Sequence, residues 1–137
     1  MADAKIISSF VNFKTNEGPI TIEVTSGFAS LGTFILSCSK VDDFDFKEFG
    51  KDPKRIDDSI LDIFQVPIDL KVISKYEVAI LGKYAPAPGH EQIKVNYKFI
   101  QNNKELVITP PGSNIIEEKS DEPFKRYTNF FKFEENG

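Results

Sequence analysis

The residues of this chain whose types could do chemistry are few and far apart: one histidine, His90, one cysteine, Cys38, and a run of acids between positions 42 and 62. His90 is followed by Glu91, a potential acid/base pair, but adjacent residues in an extended turn project apart and no activated nucleophile accompanies them. The expectation for His90 is a solvated turn histidine. Cys38 has no second cysteine to pair with, so an intramolecular disulfide is excluded. Its setting, Thr33-Phe34-Ile35-Leu36-Ser37-Cys38, is that of a thiol packed as a small hydrophobe, with a raised pKa and low reactivity. With one His and one Cys, a zinc site of nitrogen and sulfur ligands cannot be completed within one chain. The sequence therefore assigns no catalytic residue, no cofactor-binding residue and no metal ligand, and it reads as that of a non-enzymatic protein. An enzyme working through carboxylates alone, as in glycoside hydrolysis, is the least supported class, because no acid pair can be singled out.

The acids invite a calcium reading. Asp42, Asp43, Asp45, Asp57, Asp58 and Asp62 offer the hard oxygen ligands that calcium prefers. Their spacing lacks the alternate acids, the glycine at the sixth position and the glutamate at the twelfth that define an EF-hand loop, so the expectation is a solvated charged loop. Three phenylalanines, Phe44, Phe46 and Phe49, are interleaved with these acids. They cannot all be buried in a regular strand or helix without drawing charge inward. Either the segment closes one open end of the fold, or some of its rings face a partner as interface anchors. The second reading makes Phe44, Phe46, Phe49, Asp42, Asp43 and Asp45 the candidate partner-binding residues, with the rings as anchors and the acids steering a basic partner.

Composition bounds the partner class. The formal net charge is −4, and all of it resides between positions 41 and 62, where eight acids face four bases, while the rest of the chain carries equal numbers of each sign. Nucleic acid, which is bound through clusters of Lys and Arg, is disfavoured. No apolar stretch approaches the roughly 20 residues needed to span a bilayer. The start of the chain lacks the basic and apolar regions of a secretory signal, which points to a cytoplasmic location while leaving a non-classical export route open. At 137 residues, with 40% hydrophobic residues, 13 Phe and 4 Tyr, the chain is long enough for one domain, 1–137, around one aromatic-rich core without metal or disulfide staples.

The elements that must position these residues read as sheet. Apolar and polar residues alternate over 5–14, 19–25, 76–84, 93–99 and 124–133, and a nearly continuous apolar run over 33–40 suggests a strand flanked on both sides. Shorter strands are expected over 68–73 and 105–109, with a stiff turn over 85–90 and a polar link over 110–123. The segment 41–66 breaks the alternation and is expected to be a loop followed by one or two helical turns after Pro53, with a short strand over 62–66 as the competing assignment. About seven to eight strands with no βαβ alternation predict an all-β, mainly antiparallel sandwich in which the 41–66 excursion could cross between sheets. The expected function is protein–protein interaction or structural assembly, with a protein partner or a second copy of the chain. The alternative is a carbohydrate- or lipid-binding sandwich that uses Tyr76, Tyr84, Tyr97 and Tyr127 with the loop carboxylates, aided by calcium.

Overall fold

The computed structural model describes residues 5–27, 31–51, 62–86, 88–120 and 124–135. Their backbone is almost entirely extended: β1 (Lys5–Phe13), β2 (Ile20–Gly27), β3 (Leu31–Lys40), β4 (Lys47–Lys51), β5 (Asp62–Gln65), β6 (Tyr76–Ala85), β7 (Gln92–Gln101), β8 (Lys104–Glu105), β9 (Ile108–Thr109), β10 (Ile115–Lys119) and β11 (Lys125–Glu135). They form two sheets. A six-stranded sheet runs in the order β4-β3-β6-β11-β1-β9, and a five-stranded sheet runs β10-β7-β2-β5 with β8 paired to β7. All pairings are antiparallel except β1 with β11, where Lys5 opposes Tyr127 and Phe13 opposes Glu135. The expected all-β sandwich architecture is what the chain adopts.

The period of two in the sequence explains the packing, because alternate side chains of a strand point to opposite faces. Ile20, Ile22 and Val24 of β2 and Ile93, Val95, Tyr97 and Phe99 of β7 are buried, and they face Val11 and Phe13 of β1, Val78, Ile80 and Tyr84 of β6 and Tyr127, Phe131 and Phe133 of β11 in one core. The aromatic rings interlock across it, with Phe99 4.7 Å from Phe131 and Phe34 meeting Phe64 edge-on at 5.7 Å. Buried Gln101 anchors the β1–β2 turn, since its side chain accepts from Lys14 N at 3.0 Å and donates to Lys14 O at 2.6 Å and Gly18 O at 2.9 Å. At the opposite edge Glu118 of β10 ties the sheets together. It accepts hydrogen bonds from the Tyr127 hydroxyl and from Lys125, the latter at 2.5 Å, and pairs with Lys5 at 3.1 Å.

Several local expectations are corrected. The stretch 68–73 is not a strand but a run of turns ending in a 3₁₀ turn at Ile73–Lys75, because Asp69 caps it by accepting from Lys71 N at 2.9 Å. Part of the segment expected to be loop forms β4, and the competing short strand is realised as β5. The expected helical turns after Pro53 lie outside the described residues. β4 belongs to the six-stranded sheet and β5 to the five-stranded one, so the excursion does change sheets. The 110–123 link contains β10, paired to β7 from Ile115 opposite Asn96 to Lys119 opposite Gln92. The strand expected over 105–109 is split in two: Asn102 and Asn103, both at positive φ, make a two-residue hairpin between β7 and β8, and the chain then leaves for β9 on the other sheet. The strand count of eleven exceeds seven to eight because these short pieces carry little periodicity of their own.

Candidate functional site

The outward faces of the two sheets differ in kind. On the five-stranded sheet the outward positions are mostly polar, with Glu23 opposite Lys98 and Thr25 opposite Asn96. On the six-stranded sheet an apolar row crosses four strands: Ile35 opposes Leu81, Leu81 opposes Thr128, and Thr128 opposes Ile6. Its three aliphatic members stay in water, Ile6 at 68%, Leu81 at 49% and Ile35 at 42% exposure. Nothing in sandwich packing accounts for this row, since a solvated sheet face is normally polar.

The loop 41–46 between β3 and β4 lies over the same face. Asp45 N donates to Ser39 Oγ at 3.0 Å, and the Phe46 ring sits 6.0 Å from that of Phe130, an outward residue of β11. Ala79 stands beside Phe130 in register, and with Ser37, Ser39 and Glu77 it is buried although it points outward. The loop thus covers one half of the face, toward the C-terminal end of β3, and leaves the half bearing Ile35 and Leu81 open.

The sequence-derived site residues part company within this loop. Phe46 packs on Phe130, and Phe49 is partly buried against the core. Phe44 alone stands out, 76% exposed, with Asp42, Asp43 and Asp45 exposed around it. Phe44 has φ 53° and Asp42 φ 71°, the left-handed region that disfavours a bulky residue. A large apolar ring is held in solvent by a backbone that resists it, a combination that clusters at binding and switch sites.

At the open half of the face Thr33, Ile35, Leu81, Lys83, Arg126 and Thr128 line a depression of about 380 Å³. Sequence reasoning missed it, because its members come from three strands 95 positions apart in the chain and meet only through register. Lys83 and Arg126 stand directly opposite each other, both exposed. Among the described residues neither has a carboxylate within ion-pair distance, and the Lys83 ammonium lies 4.8 Å from the centre of the Phe124 ring.

The remaining chemistry-bearing residues are placed elsewhere. His90 is exposed in the turn before β7, beside Glu91 and Lys119. Cys38 points inward from β3 against the core, where burial pushes its thiol up and the nearby Lys47 only partly offsets this. Tyr84, Tyr97 and Tyr127 are core residues, which removes them as stacking platforms for a sugar. Of the aspartates considered for calcium, 57 and 58 lie outside the described residues, and among the described residues no three His, Cys, Asp or Glu side chains converge as a metal site would require. Among the same residues no helix is long and apolar enough to cross a membrane. No protein-family model, no curated protein and no solved structure matches this chain.

Proposed function

We propose that this chain is a non-enzymatic protein-docking module, one β-sandwich domain whose working surface is the outward face of the six-stranded sheet together with the 41–46 loop. The observation that carries the reading is Phe44, which is 76% exposed among exposed acids and held at positive φ, a placement that folding does not explain. Aromatic anchors of this kind supply a large share of interface energy when a partner desolvates them. The acids around the ring give the encounter long-range attraction for a basic surface, and the apolar row beyond the loop extends the contact area. Of the other two rings, Phe46 and Phe49 fix the loop in place rather than meet the partner.

The reading is tested by placing a photo-crosslinking side chain at position 44 and irradiating cells that produce the full chain. A discrete protein adduct that disappears when the crosslinker is moved to Glu23, on the opposite sheet, is the expected result. Absence of any protein adduct, with a rise in melting temperature on adding a glycan, a fatty acid or calcium, would replace docking by small-ligand binding.

A further inference from the structure

We propose that the partner of this face is a second copy of the chain, joined through a two-fold axis so that Phe44 of each copy seats in the depression over Leu81 of the other. This inference rests on the docking reading above and names its partner.

Both halves of the contact are present on one surface. The knob is Phe44, flanked by the exposed carboxylates of Asp43 and Asp45. The hole has an apolar floor of Ile35 and Leu81 and a cationic rim of Lys83 and Arg126, with Lys51 of β4 opposite Ile35 adding a third cation. Its volume of about 380 Å³ exceeds what one aromatic ring needs, so it has room for the Phe44 ring together with part of the loop that carries it. Two like charges directly opposite on neighbouring strands repel, so the Lys83–Arg126 pair is a feature that an incoming anion relieves. The aspartates beside Phe44 bring that anion with the ring.

The geometry closes. The loop follows the C-terminal end of β3, and the depression lies near its N-terminal end, at Thr33 and Ile35. In the other direction both features centre on the same strands, since the loop bonds to Ser39 of β3 and reaches across β6 to Phe130, while the depression spans β3, β6 and β11. A two-fold axis lying in the interface and crossing the strands reverses strand direction without exchanging strand order. It therefore sets the acidic loop of each copy over the basic depression of the other and uses every contact twice, which is the self-complementarity a closed dimer requires. A different protein with an acidic aromatic segment would satisfy the hole but leave the knob unexplained.

The test is sedimentation equilibrium of the full chain over a concentration series, with melting curves to show that each variant is folded. The expected result is a monomer–dimer equilibrium whose dissociation constant rises at least about tenfold for Phe44→Ser and for the double variant Lys83→Glu, Arg126→Glu. The decisive arm mixes that double variant with Asp43→Lys, Asp45→Lys. Each alone places like charges together at both contacts and stays monomeric, whereas an equimolar mixture forms a heterodimer. A native chain that is monomeric throughout the series overturns self-association, and the docking reading is then decided separately by a crosslink from position 44 to a different protein. A dimer that persists in Phe44→Ser and in the Lys83, Arg126 double variant uses another surface and overturns the proposal outright.

Discussion

The hydroxyls of Tyr84 and Tyr97 meet at 2.5 Å in the middle of the core, joining β6 of one sheet to β7 of the other. Tyr97 is fully buried, and burial drives its phenol above the usual range against the opposing effect of the Tyr84 hydrogen bond. Tyr97→Phe removes the bond that joins the two sheets at this point. A loss of about 0.5–1.5 kcal/mol in unfolding free energy is expected, read by urea denaturation. In an ultraviolet pH titration of the native protein the Tyr97 phenol should ionise only as the protein unfolds.

Gly82 is the neighbour that makes this arrangement possible. A Cβ built there would overlap the ring and hydroxyl of Tyr84. Because the far end of that ring is fixed by Tyr97, it cannot simply swing away. Gly82→Ala should cost about 1–3 kcal/mol, the usual penalty for overpacking a filled core, and Tyr84→Phe in the same background should recover little of it, since the clash is with the ring. A Gly82→Ala change that costs nothing further in a Tyr84→Ala background would identify the ring as the obstruction.

Glu118 makes stability depend on pH. Burial alone would raise its carboxyl, but hydrogen bonds from Lys125, Tyr127 and Lys5 outweigh that effect and hold it at about 2, well below the 4.5 of a free glutamate. A carboxyl depressed on folding stabilises the native state above its unfolded pKa, and that contribution disappears as pH falls through the folded value. The contribution of Glu118 should thus be complete at neutral pH and decline between about pH 4.5 and 2. Glu118→Gln is expected to melt well below the native chain at pH 7 and to approach it near pH 2; a gap that stays constant across this range would assign the effect to packing.

Cys38 should react slowly. Its side chain packs against the core from β3, a strand with neighbours on both sides, and burial raises its pKa so that little thiolate exists at neutral pH. Alkylation of native protein by iodoacetamide should lag far behind that in denaturant, and Cys38→Ala should keep any self-association intact. Labelling at equal rates in both conditions would contradict the packing.

These expectations show what the sequence carried and what it did not. The alternation in β2 and β7 was legible because each has one wet and one dry face, so a period of two marks both the strand and its core side. The run before Cys38 was legible as a flanked strand for the opposite reason, that its apolar residues continue without alternation, although Ile35 on its outward face is 42% exposed. The pieces that were missed, β4 and β10, and those that were read as one strand, β8 and β9, are two to five residues long and owe their form to the strand beside them. In the candidate site, the anomaly of three rings among acids was visible, but not which ring stays in water. That depends on Phe130, 84 positions beyond Phe46, offering it a place to pack. The cationic depression was invisible, since register alone sets Lys83 beside Arg126.

The three rings give the sharpest separation of folding from function. Phe49 is packed against the core and Phe46 against Phe130, so their replacement by Ser should lower stability, by about 2–4 kcal/mol for Phe49 and about 1–2 kcal/mol for the half-covered Phe46. Phe44 contributes no comparable burial, and its backbone sits at φ 53°, where a side chain costs roughly 1 kcal/mol relative to glycine. Phe44→Gly should therefore leave the melting temperature unchanged or raise it, while weakening docking at least as much as Phe44→Ser. A stabilising change is costly to function where the less stable residue serves a contact, so a more stable protein that no longer associates is the expected outcome. Equal stability losses at all three positions, with association intact, would make the loop a piece of packing and nothing more.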